Sequence, residues 1–568
     1  MNDESIKNPT IIWKQFEAGQ KYLQNKGLTE SWKQCENFYE GNQWPAPTKR
    51  TKALPRPVVN ITSMIADNKK SGILSENIKL VFKPSEMFGE LYERAEQGAD
   101  LFTKFAESIS KELKQNDLDD KAQDYATQLG TYVYHYFWDT TISGGMQTPY
   151  VGAMRGEIIE PKNIVFANPL EEDEQKQKYI IIASCEPLES VRALAKRNKV
   201  QNWEEIVADT EMEESEESEL AACTVLTKYS RQNGKVVWEK STKNVYLQKP
   251  TLWEPSKEKV KFEDEEEINE PDTANRNDYF KKQLYPIVVG NHKRRKRCIY
   301  GIGEVEQSIP NNKAVNFNLG MMLLSVQQTA WPQIIAKVNA LANQQITNEP
   351  GGIITDYSKG QNWGAKYMDT PGFNAQALTL TNTIIDLTRS ATGSTEVVTG
   401  EVLGANMAAS AIIALQNQAK KPIEMYQKKF YRTHIKIGKI YEQFFKYYYN
   451  DGRLFGYEDD GTQYVASMNG EQYMNYEFNL SVEAGTGGVW SESLSVSLLD
   501  NLKADGTIDQ DEYIELYPDS IMPFKQKLKR MREKKQQEMM QQLALQNQLV
   551  NQNMIVNSNI PNQLNNGL

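Results

Sequence analysis

The residue types that most often carry enzymatic chemistry are scarce in this chain. Its 568 residues include three histidines, His135, His292 and His434. His135 lies in a segment with strand-like alternation and His434 in an apolar helical stripe, so we interpret both as structural histidines. The sequence contains no HExxH, GxSxG or Walker A motif. We therefore expect no enzymatic activity and no cofactor, because no nucleophile, general base or metal-ligand set is encoded.

Clusters of carboxylates are the best remaining candidates for metal chemistry. Two acidic runs occupy residues 211–219 and 263–267, and we interpret both as solvated loops. The sequence around Gly506 superficially resembles a calcium-binding loop, but Lys503 then falls at a ligand position. We predict instead that Asp509 and Glu512 form a helix capping box. A DNA-processing enzyme such as a nuclease, with magnesium held by the acidic runs, stays open as an alternative.

Basic residues are concentrated in two short runs, although the chain as a whole is acidic. Lys and Arg total 65 and Asp and Glu total 75, which gives a formal net charge of −10. This excludes a general nucleic-acid-binding protein, since neutralising phosphates requires positive surfaces. Residues 293–297 (KRRKR) are either a nuclear signal or phosphate-binding patch, or a solvated or inter-subunit patch. Residues 525–535 form the second run.

One uncharged segment is long enough to cross a membrane. Residues 314–336 lie between Lys313 and Lys337 and contain no charged side chain. They do contain several amide side chains and Pro332, and amides are costly in hydrocarbon. We therefore predict a helix that is buried against other protein, with a membrane pore as the alternative. The N-terminus lacks an apolar signal segment and the four cysteines form no CxxC pair, so we expect synthesis in a reducing cytoplasm.

The periodicity of the sequence predicts an α+β fold. Apolar residues at helical spacing occupy residues 10–40 and 91–113, and a period of two then dominates from about 131 to 300. The largely uncharged segment 303–348 is predicted to be mostly helical. A short β-like segment contains Ile353, Ile354, Trp363 and Tyr367, and a second helix is expected over 374–390.

The strongest helical signal lies between Ile412 and Tyr448. Apolar residues recur there at three- and four-residue steps, which predicts one helix of about 40 residues and about 60 Å. Pro422 lies inside it, so we expect a kink. Its first turns are rich in alanine, which allows close helix packing. So long an element is more typical of a subunit packed beside copies of itself than of a globular enzyme.

Seven stretches, spread over nearly the whole chain, occur in an order typical of one protein family. They are residues 38–44 (FYEGNQW), 56–60 (RPVVN), 156–164 (GEIIEPKNI), 285–288 (YPIV), 301–318, 396–415 and 505–518. In this order the chain resembles the portal, or head-to-tail connector, proteins of tailed bacteriophages.

The resemblance implies an elongated subunit with a mixed α/β wing, a helical stem, a small clip and a helical crown. The implied parts are a wing (1–302), a first stem helix region (303–349), a clip (350–372), a second stem helix (373–392), a tunnel loop (393–407), a long kinked helix (408–450), a wing β-hairpin (451–490), a crown (491–540) and an Asn/Gln-rich tail that is a short barrel or disordered (541–568).

The resemblance also implies a ring, typically of twelve copies, at one capsid vertex of the virion. Double-stranded DNA passes through its channel during packaging and ejection. The implied protein partners are the terminase large subunit, head–tail adaptor or tail proteins, and the major capsid and scaffolding proteins, with no membrane contact. Synthesis takes place in the bacterial host's cytoplasm.

Three groups of site residues follow from the same resemblance. The loop residues implied to face DNA in the channel are Gly393, Glu396, Thr399, Gly400, Glu401 and Gly404. The clip residues implied to contact partner proteins are Ile353, Trp363 and Tyr367. The basic crown helix, implied to face packaged DNA, contributes Lys525, Lys527, Lys529, Arg530 and Arg532. The loop's carboxylates are expected to keep contact with DNA transient, because they repel phosphates.

Overall fold

The computed structural model describes two compact units that together contain both helices and sheets. The residues described are 9–49, 51–52, 54–85, 90–145, 149–211, 221–232, 234–255, 283–330, 334–336, 365–367, 375–393, 409–459, 462–484, 489–517, 528, 531–532 and 534. The first unit comprises Met1–Leu74, Leu80–Phe455 and Ala466–Glu483, and the second comprises Ser75–Lys79, Gly456–Val465 and Ala484–Leu568. With 52% helix and 27% strand, the chain has the predicted α+β class.

The helices follow the predicted order. They are α1 (Pro9–Asn25), α2 (Leu28–Glu40), α3 (Ile61–Ile73), α4 (Glu90–Leu113), α5 (Gln115–Leu129), α6 (Leu188–Arg197), α7 (Glu304–Ala330), α8 (Ala375–Thr392), α9 (Ala409–Tyr448), α10 (Val489–Ala504) and α11 (Gln510–Leu516).

The strands pair mostly with neighbours in the sequence. They are β1 (Ile78–Pro84), β2 (Thr131–Gly144), β3 (Tyr150–Ile159), β4 (Ile164–Phe166), β5 (Tyr179–Pro187), β6 (Thr210–Glu211), β7 (Ala221–Gln232), β8 (Lys235–Ser241), β9 (Tyr246–Leu252), β10 (Ile287–Asn291), β11 (Lys293–Arg295), β12 (Cys298–Ile302), β13 (Ile334–Ala336), β14 (Ala365–Tyr367), β15 (Arg453–Asp459), β16 (Thr462–Met468) and β17 (Phe478–Ala484). The largest sheet has the order β4-β5-β7-β8-β9, with β6 beside β7. A second sheet has the order β10-β2-β3.

Strand β2 lies between a helical layer and the largest sheet. Its alternate tyrosines point towards the helices: the Tyr132 hydroxyl lies 3.1 Å from that of Thr433, and Tyr134 donates to Asp119. His135, on the opposite face, lies 2.7 Å from the hydroxyl of Tyr229 on β7. Both faces are buried, which explains why this strand is rich in aromatic residues on both sides.

Helix α9 is the 40-residue helix that the periodicity predicted, and Pro422 lies inside it. From Tyr426 onward, side-chain contacts tie this helix to the rest of the first unit at almost every turn. The imidazole of His292 stacks on Tyr426 at 4.4 Å between ring centroids, and His434 contacts Asp119. Further along, Tyr441 donates to Gln115. Together with the buried aromatic residues between them, these contacts make α9 the helix on which the other elements of the first unit pack.

The expectation of a mostly helical segment as far as residue 348 is wrong at residues 334–336. Helix α7 is described to Ala330, and Ile334–Ala336 form strand β13. The sequence after Ala330 contains Pro332, a residue that lacks the N–H that a helix interior needs. The β-branched Ile334 and Ile335 then favour a strand. Strand β13 pairs with β14 in antiparallel register, with Ile334 opposite Tyr367.

The Gly301-Ile302-Gly303 cluster permits a close backbone approach rather than a turn. A Cβ at Gly301 would lie 2.4 Å from the carbonyl oxygen of Gly130, and one at Gly303 would lie 2.4 Å from that of Gln128. Gly130 itself has φ +87° and ends α5. Two glycines therefore let the start of α7 pack directly on the end of α5.

In the second unit, α10 and α11 meet through a short turn around Gly506. The backbone N–H of Asp509 donates to the Glu512 carboxylate at 3.0 Å, which is one of the two hydrogen bonds of the predicted capping box. The Lys503 ammonium lies 4.2 Å from the Tyr513 ring centroid. Lys503 occupies a position where a calcium-binding loop needs an oxygen ligand, and here its ammonium contacts an aromatic ring instead.

Candidate assembly surface

Helices α7 and α8 form a pair that is anchored at one end. Val315 packs with Ile61 and Ile65 of α3, and Ile384 and Ile385 of α8 pack against the same cluster. The buried residues of α7 all lie between Glu304 and Gly320, whereas every residue from 326 to 330 is exposed. The pair therefore extends from a packed base to a more exposed end.

The exposed surfaces of this pair are unusually apolar. On α7, Phe317 is 58% exposed and Val326 is 54% exposed, and on α8 Leu387 is 64% exposed. The other large apolar side chains exposed on these two helices are Met321, Leu323, Leu378 and Leu380. Several large exposed apolar side chains on two packed helices are typical of interaction sites, since covering them removes apolar surface from water. We call the exposed surface of α7 from Phe317 onward and of α8 the assembly surface.

The assembly surface is also almost free of charge. From Ala314 to Ala330, α7 carries no Asp, Glu, Lys or Arg, and α8 carries only Asp386 and Arg389. A solvent-facing helix normally carries charges on its exposed side. In the part of the chain that the structure describes, no helix is long and apolar enough to cross a membrane.

Amide side chains hold α7 in place. Asn312 and Asn316, one helical turn apart, both donate to the Gln43 side-chain oxygen. Their own oxygens accept from the backbone N–H groups of Ile61 at 3.1 Å and Val59 at 2.9 Å. Asn312 and Asn316 therefore tie α7 to Gln43, Val59 and Ile61, and Asn316 is one of the amides that argued against a membrane helix. Gln43 belongs to the FYEGNQW stretch and Val59 to the RPVVN stretch, which Ile61 follows directly.

A buried charge cluster fixes the start of α7. The Glu304 Oε2 atom lies 2.8 Å from Lys69 Nζ, 3.0 Å from Lys293 Nζ and 3.1 Å from His292 Nε2. Glu304 and Lys69 are 1% and 4% exposed. Burial alone would raise the pKa of Glu304, but His292 and the two lysines hold it well below its usual range. Burial lowers the pKa of His292, so a neutral imidazole donates to the carboxylate. The cluster joins α3, β11 and α7, while His292 stacks on α9.

A second buried pair joins α9 to α5. His434 Nε2 lies 3.0 Å from Asp119, which also accepts from Tyr134 at 2.6 Å and from Gln115 at 2.8 Å. Burial alone would lower the pKa of His434, but the Asp119 carboxylate raises it above its ordinary value. Burial raises the pKa of Tyr134 well above its ordinary value, so this hydroxyl stays protonated and donates.

This raised pKa predicts a pH-dependent stability. Protonated His434 stabilises the folded chain below its unfolded pKa, and that contribution is lost as pH rises through its folded pKa. The difference in urea midpoint between wild type and His434→Gln should therefore be larger at about pH 6 than at about pH 9. A difference that is constant with pH would show that the imidazole is neutral in the fold.

Of the predicted channel-loop residues, Gly393 is the one that the structure describes. Gly393 ends α8 with φ +73°, and a Cβ on it would lie 3.4 Å from Pro422. Helix α9 begins at Ala409, about 20 Å from Pro422 along the helix axis at about 1.5 Å per residue. Gly393 and Ala409, the described residues on either side of 394–408, are therefore about 20 Å apart. Glu396, Thr399, Gly400, Glu401 and Gly404 lie outside the described residues.

The other predicted site residues are mostly outside the described part as well. Tyr367 lies in β14, opposite Ile334. Arg532 is helical and partly buried. Ile353, Trp363, Lys525, Lys527, Lys529 and Arg530 are not among the described residues.

The described residues give little support to metal or phosphate chemistry. Among them no group of three or more His, Cys, Asp or Glu side chains is placed to hold a metal ion. Each histidine contacts a carboxylate: His135 pairs with Glu157, His292 with Glu304 and His434 with Asp119. The acidic runs 212–219 and 263–267 are outside the described part.

The KRRKR run is largely engaged within the chain. Lys293 pairs with Glu304, Arg294 with Glu172 and Arg295 with Glu306. Only Lys296 and Arg297, at the turn between β11 and β12, have no ion pair among the described residues. Three paired cations out of five favour a structural role over a phosphate-binding patch.

Neither a protein-family model nor a curated protein matches this chain.

The amide anchors and the Glu304 cluster were missed by the sequence interpretation. Asn312 and Asn316 at i and i+4 on an otherwise apolar helix were a usable signal, because a polar pair on a buried face needs partners. Glu304 gave no comparable signal, since its partners come from residues 69, 292 and 293 and meet only in the folded chain.

Proposed function

We propose that this chain is a portal-type subunit that assembles into a ring and conducts double-stranded DNA. The observation that carries the proposal is the assembly surface: a helical pair, anchored at one end, whose exposed sides are apolar and nearly uncharged. A ring places the helices of one subunit beside those of the next, so neighbouring copies of the same helical pair bury the assembly surface.

The arrangement of the chain around Pro422 supports a channel in that ring. Helix α8 ends at Gly393, beside Pro422, and α9 begins at Ala409, about 20 Å from Pro422 along its axis. Residues 394–408 connect these two points in the sequence. They carry two charges, Glu396 and Glu401, both negative. In the proposed ring this segment lines the axial channel. Its carboxylates let DNA slide, because cations there would bind the phosphates by releasing counterions.

The proposed parts follow the portal plan. The β-rich part of the first unit is the wing, α7 and α8 form the stem, and β13 and β14 lie at the base of the clip. The clip, with Ile353, Trp363 and Tyr367, docks the terminase and later the tail adaptor. The crown carries the basic residues from Lys525 to Arg532. Capsid and scaffolding proteins surround the ring at one vertex of the virion.

Two charge-reversing substitutions test the channel. In rings carrying both Glu396→Lys and Glu401→Lys, DNA packaged by the terminase should move more slowly or stall at low salt. The defect should shrink at high salt, because screening weakens the new lysine–phosphate contacts. Ring formation should be unchanged. Packaging rate and packaged DNA length are the measurements.

The matched control carries Glu396→Gln and Glu401→Gln, which removes the negative charges without adding cations. It should package close to the wild-type rate. If the lysine variant packages normally at low salt, residues 394–408 do not line the channel and that part of the proposal fails.

A further inference from the structure

Helices α7 and α8 run antiparallel, and a hydrogen bond marks the sides on which they face each other. Asn311 Nδ2 of α7 donates to Thr388 Oγ1 of α8 at 3.0 Å. Val315, about one turn further along α7, belongs to the cluster against which Ile384 and Ile385 pack, and these two residues precede Thr388 on α8. Positions around each helix can therefore be measured from Asn311 and from Thr388, at about 100° per residue.

Four of the seven large apolar side chains exposed on the assembly surface lie on one side of this pair. On α7 they are rotated by about 80–120° from Asn311, and on α8 by about 100° from Thr388 in the same sense, each helix being viewed along its own chain direction. Equal rotations on antiparallel helices point to the same side, so the four side chains form one patch. We call it the front patch, and its residues are Phe317, Met321, Leu380 and Leu387.

The other three exposed apolar side chains lie on the opposite side of the pair. They are rotated by about 60–120° in the opposite sense. We call them the back patch, and its residues are Leu323, Val326 and Leu378. Val315 and Ile385 lie on this side too, rotated by about 40° and about 60°, and Val315 packs there on Ile61 and Ile65 of α3. The back patch is thus the part of the α3-facing side that α3 leaves exposed.

The back patch lies further from the anchored base of the pair than the front patch does. On α7, the mean position of the back-patch residues is about 8 Å beyond that of the front-patch residues, at about 1.5 Å per residue. On α8, which runs back towards the base, the corresponding offset is again about 8 Å. Because the two helices agree, a front patch can meet the back patch of a neighbouring pair that is shifted by about 8 Å along its helices.

Neither patch contains a charged side chain, and the nearest charges on the two helices point elsewhere or are engaged. Asp386 is rotated by about 160° from Thr388, so it points away from α7. Arg389 is on the side of the back patch, but about 16 Å nearer the base than the back-patch residue of α8. Lys313 borders the front patch at the base, where its ammonium lies 5.2 Å from the Phe38 ring centroid. The two patches can therefore be buried against each other without desolvating an ion.

We propose that the front patch of one chain packs against the back patch of a second copy of this chain. The inference rests on the proposed function and specifies which surfaces of neighbouring subunits meet. One contact of this head-to-tail kind covers both patches of every chain and, repeated around an axis, closes a ring. A two-fold contact of front patch with front patch would leave every back patch exposed to water.

The test mixes two variants that each lack one patch. Leu387→Asp disables the front patch and Val326→Asp the back patch, and circular dichroism checks that both chains are folded. Each variant alone should need at least about thirty-fold more protein than wild type to assemble, so both sediment as monomers where wild type is assembled. Their equimolar mixture should form dimers of one chain of each kind, because the intact back patch of the first meets the intact front patch of the second. Sedimentation velocity gives the size, and pull-down through a tag on one variant gives the composition.

The matched control mixes Leu387→Asp with Phe317→Asp, which both lack the front patch, and this mixture should stay monomeric. If the mixture of Leu387→Asp and Val326→Asp also stays monomeric while wild type assembles, the two patches do not meet and this inference alone is wrong. Dimers of Val326→Asp by itself would show that front patch meets front patch, which overturns the inference as well. A wild-type chain that never assembles overturns the proposed function and this inference together.

Discussion

Replacing Glu304 with glutamine should lower the free energy of unfolding by about 3–5 kcal/mol, because it leaves the buried Lys69 ammonium without a countercharge. Lys69 is 4% exposed and its Nζ lies 2.8 Å from the Glu304 carboxylate. Urea unfolding, followed by tryptophan fluorescence, measures the loss. The difference from wild type should shrink as pH falls, since the lowered pKa of Glu304 stabilises the fold only while the group is ionised.

The matched control is Glu306→Gln. Glu306 lies two residues later on the same helix and pairs with Arg295 at 3.1 Å, but it is partly exposed. Exposed and half-exposed ion pairs contribute about 0–1 kcal/mol, so this variant should unfold close to wild type. Equal urea midpoints for the two variants would show that the cluster does not hold the start of α7.

An aspartate at Leu387 should raise the protein concentration needed for assembly by at least about thirty-fold, which corresponds to about 2 kcal/mol. Leu387 is 64% exposed in the single chain, so the substitution leaves the folded subunit intact. In the proposed ring it places a desolvated carboxylate in an apolar interface, which is costly. Sedimentation velocity measures assembly, and circular dichroism confirms the fold.

Val207→Asp is the matched control for that substitution. Val207 is 58% exposed and lies outside α7 and α8, so the same chemical change should leave assembly unaltered. If Leu387→Asp assembles as well as Val207→Asp, the exposed side of α8 is not an interface. The assembly surface would then have to be reassigned.

Elements with strong local periodicity could be predicted from the sequence. The 40-residue helix α9 repeats its apolar residues over many turns, and tertiary contacts reinforce that pattern rather than oppose it. The aromatic alternation of β2 and the capping-box hydrogen bond between Asp509 and Glu512 are likewise local signals, and both are present. Each depends on residues close in sequence, which is why sequence alone sufficed.

The end of α7 and its anchors depend on information that the local pattern does not contain. The stretch without charged residues that begins at Ala314 continues past Ala330 in the sequence. Residues 334–336 nevertheless form a strand, because β13 pairs with β14, which is distant in the sequence. Lys69 and Glu304 lie 235 positions apart in sequence and meet only through folding. Charge patterns along the chain therefore gave no indication of the cluster.

The uncharged, apolar composition of the candidate site could be predicted from the sequence, but the identity of its exposed side chains could not. The lack of charge in residues 314–336 was visible in the sequence and favoured a helix covered by other protein. Which side chains are exposed, such as Phe317 and Leu387, followed only from the packing of α7 and α8 on α3.

Negative-stain electron microscopy of the purified full-length chain, with rotational averaging of particles viewed end-on, tests the central claim most directly. The proposed function predicts closed rings of about twelve copies with a central hole wide enough for a DNA duplex. Particles that are single compact subunits and cleave DNA when magnesium is added would contradict the account in favour of an enzyme. Particles that form only in detergent would contradict it in favour of a membrane pore.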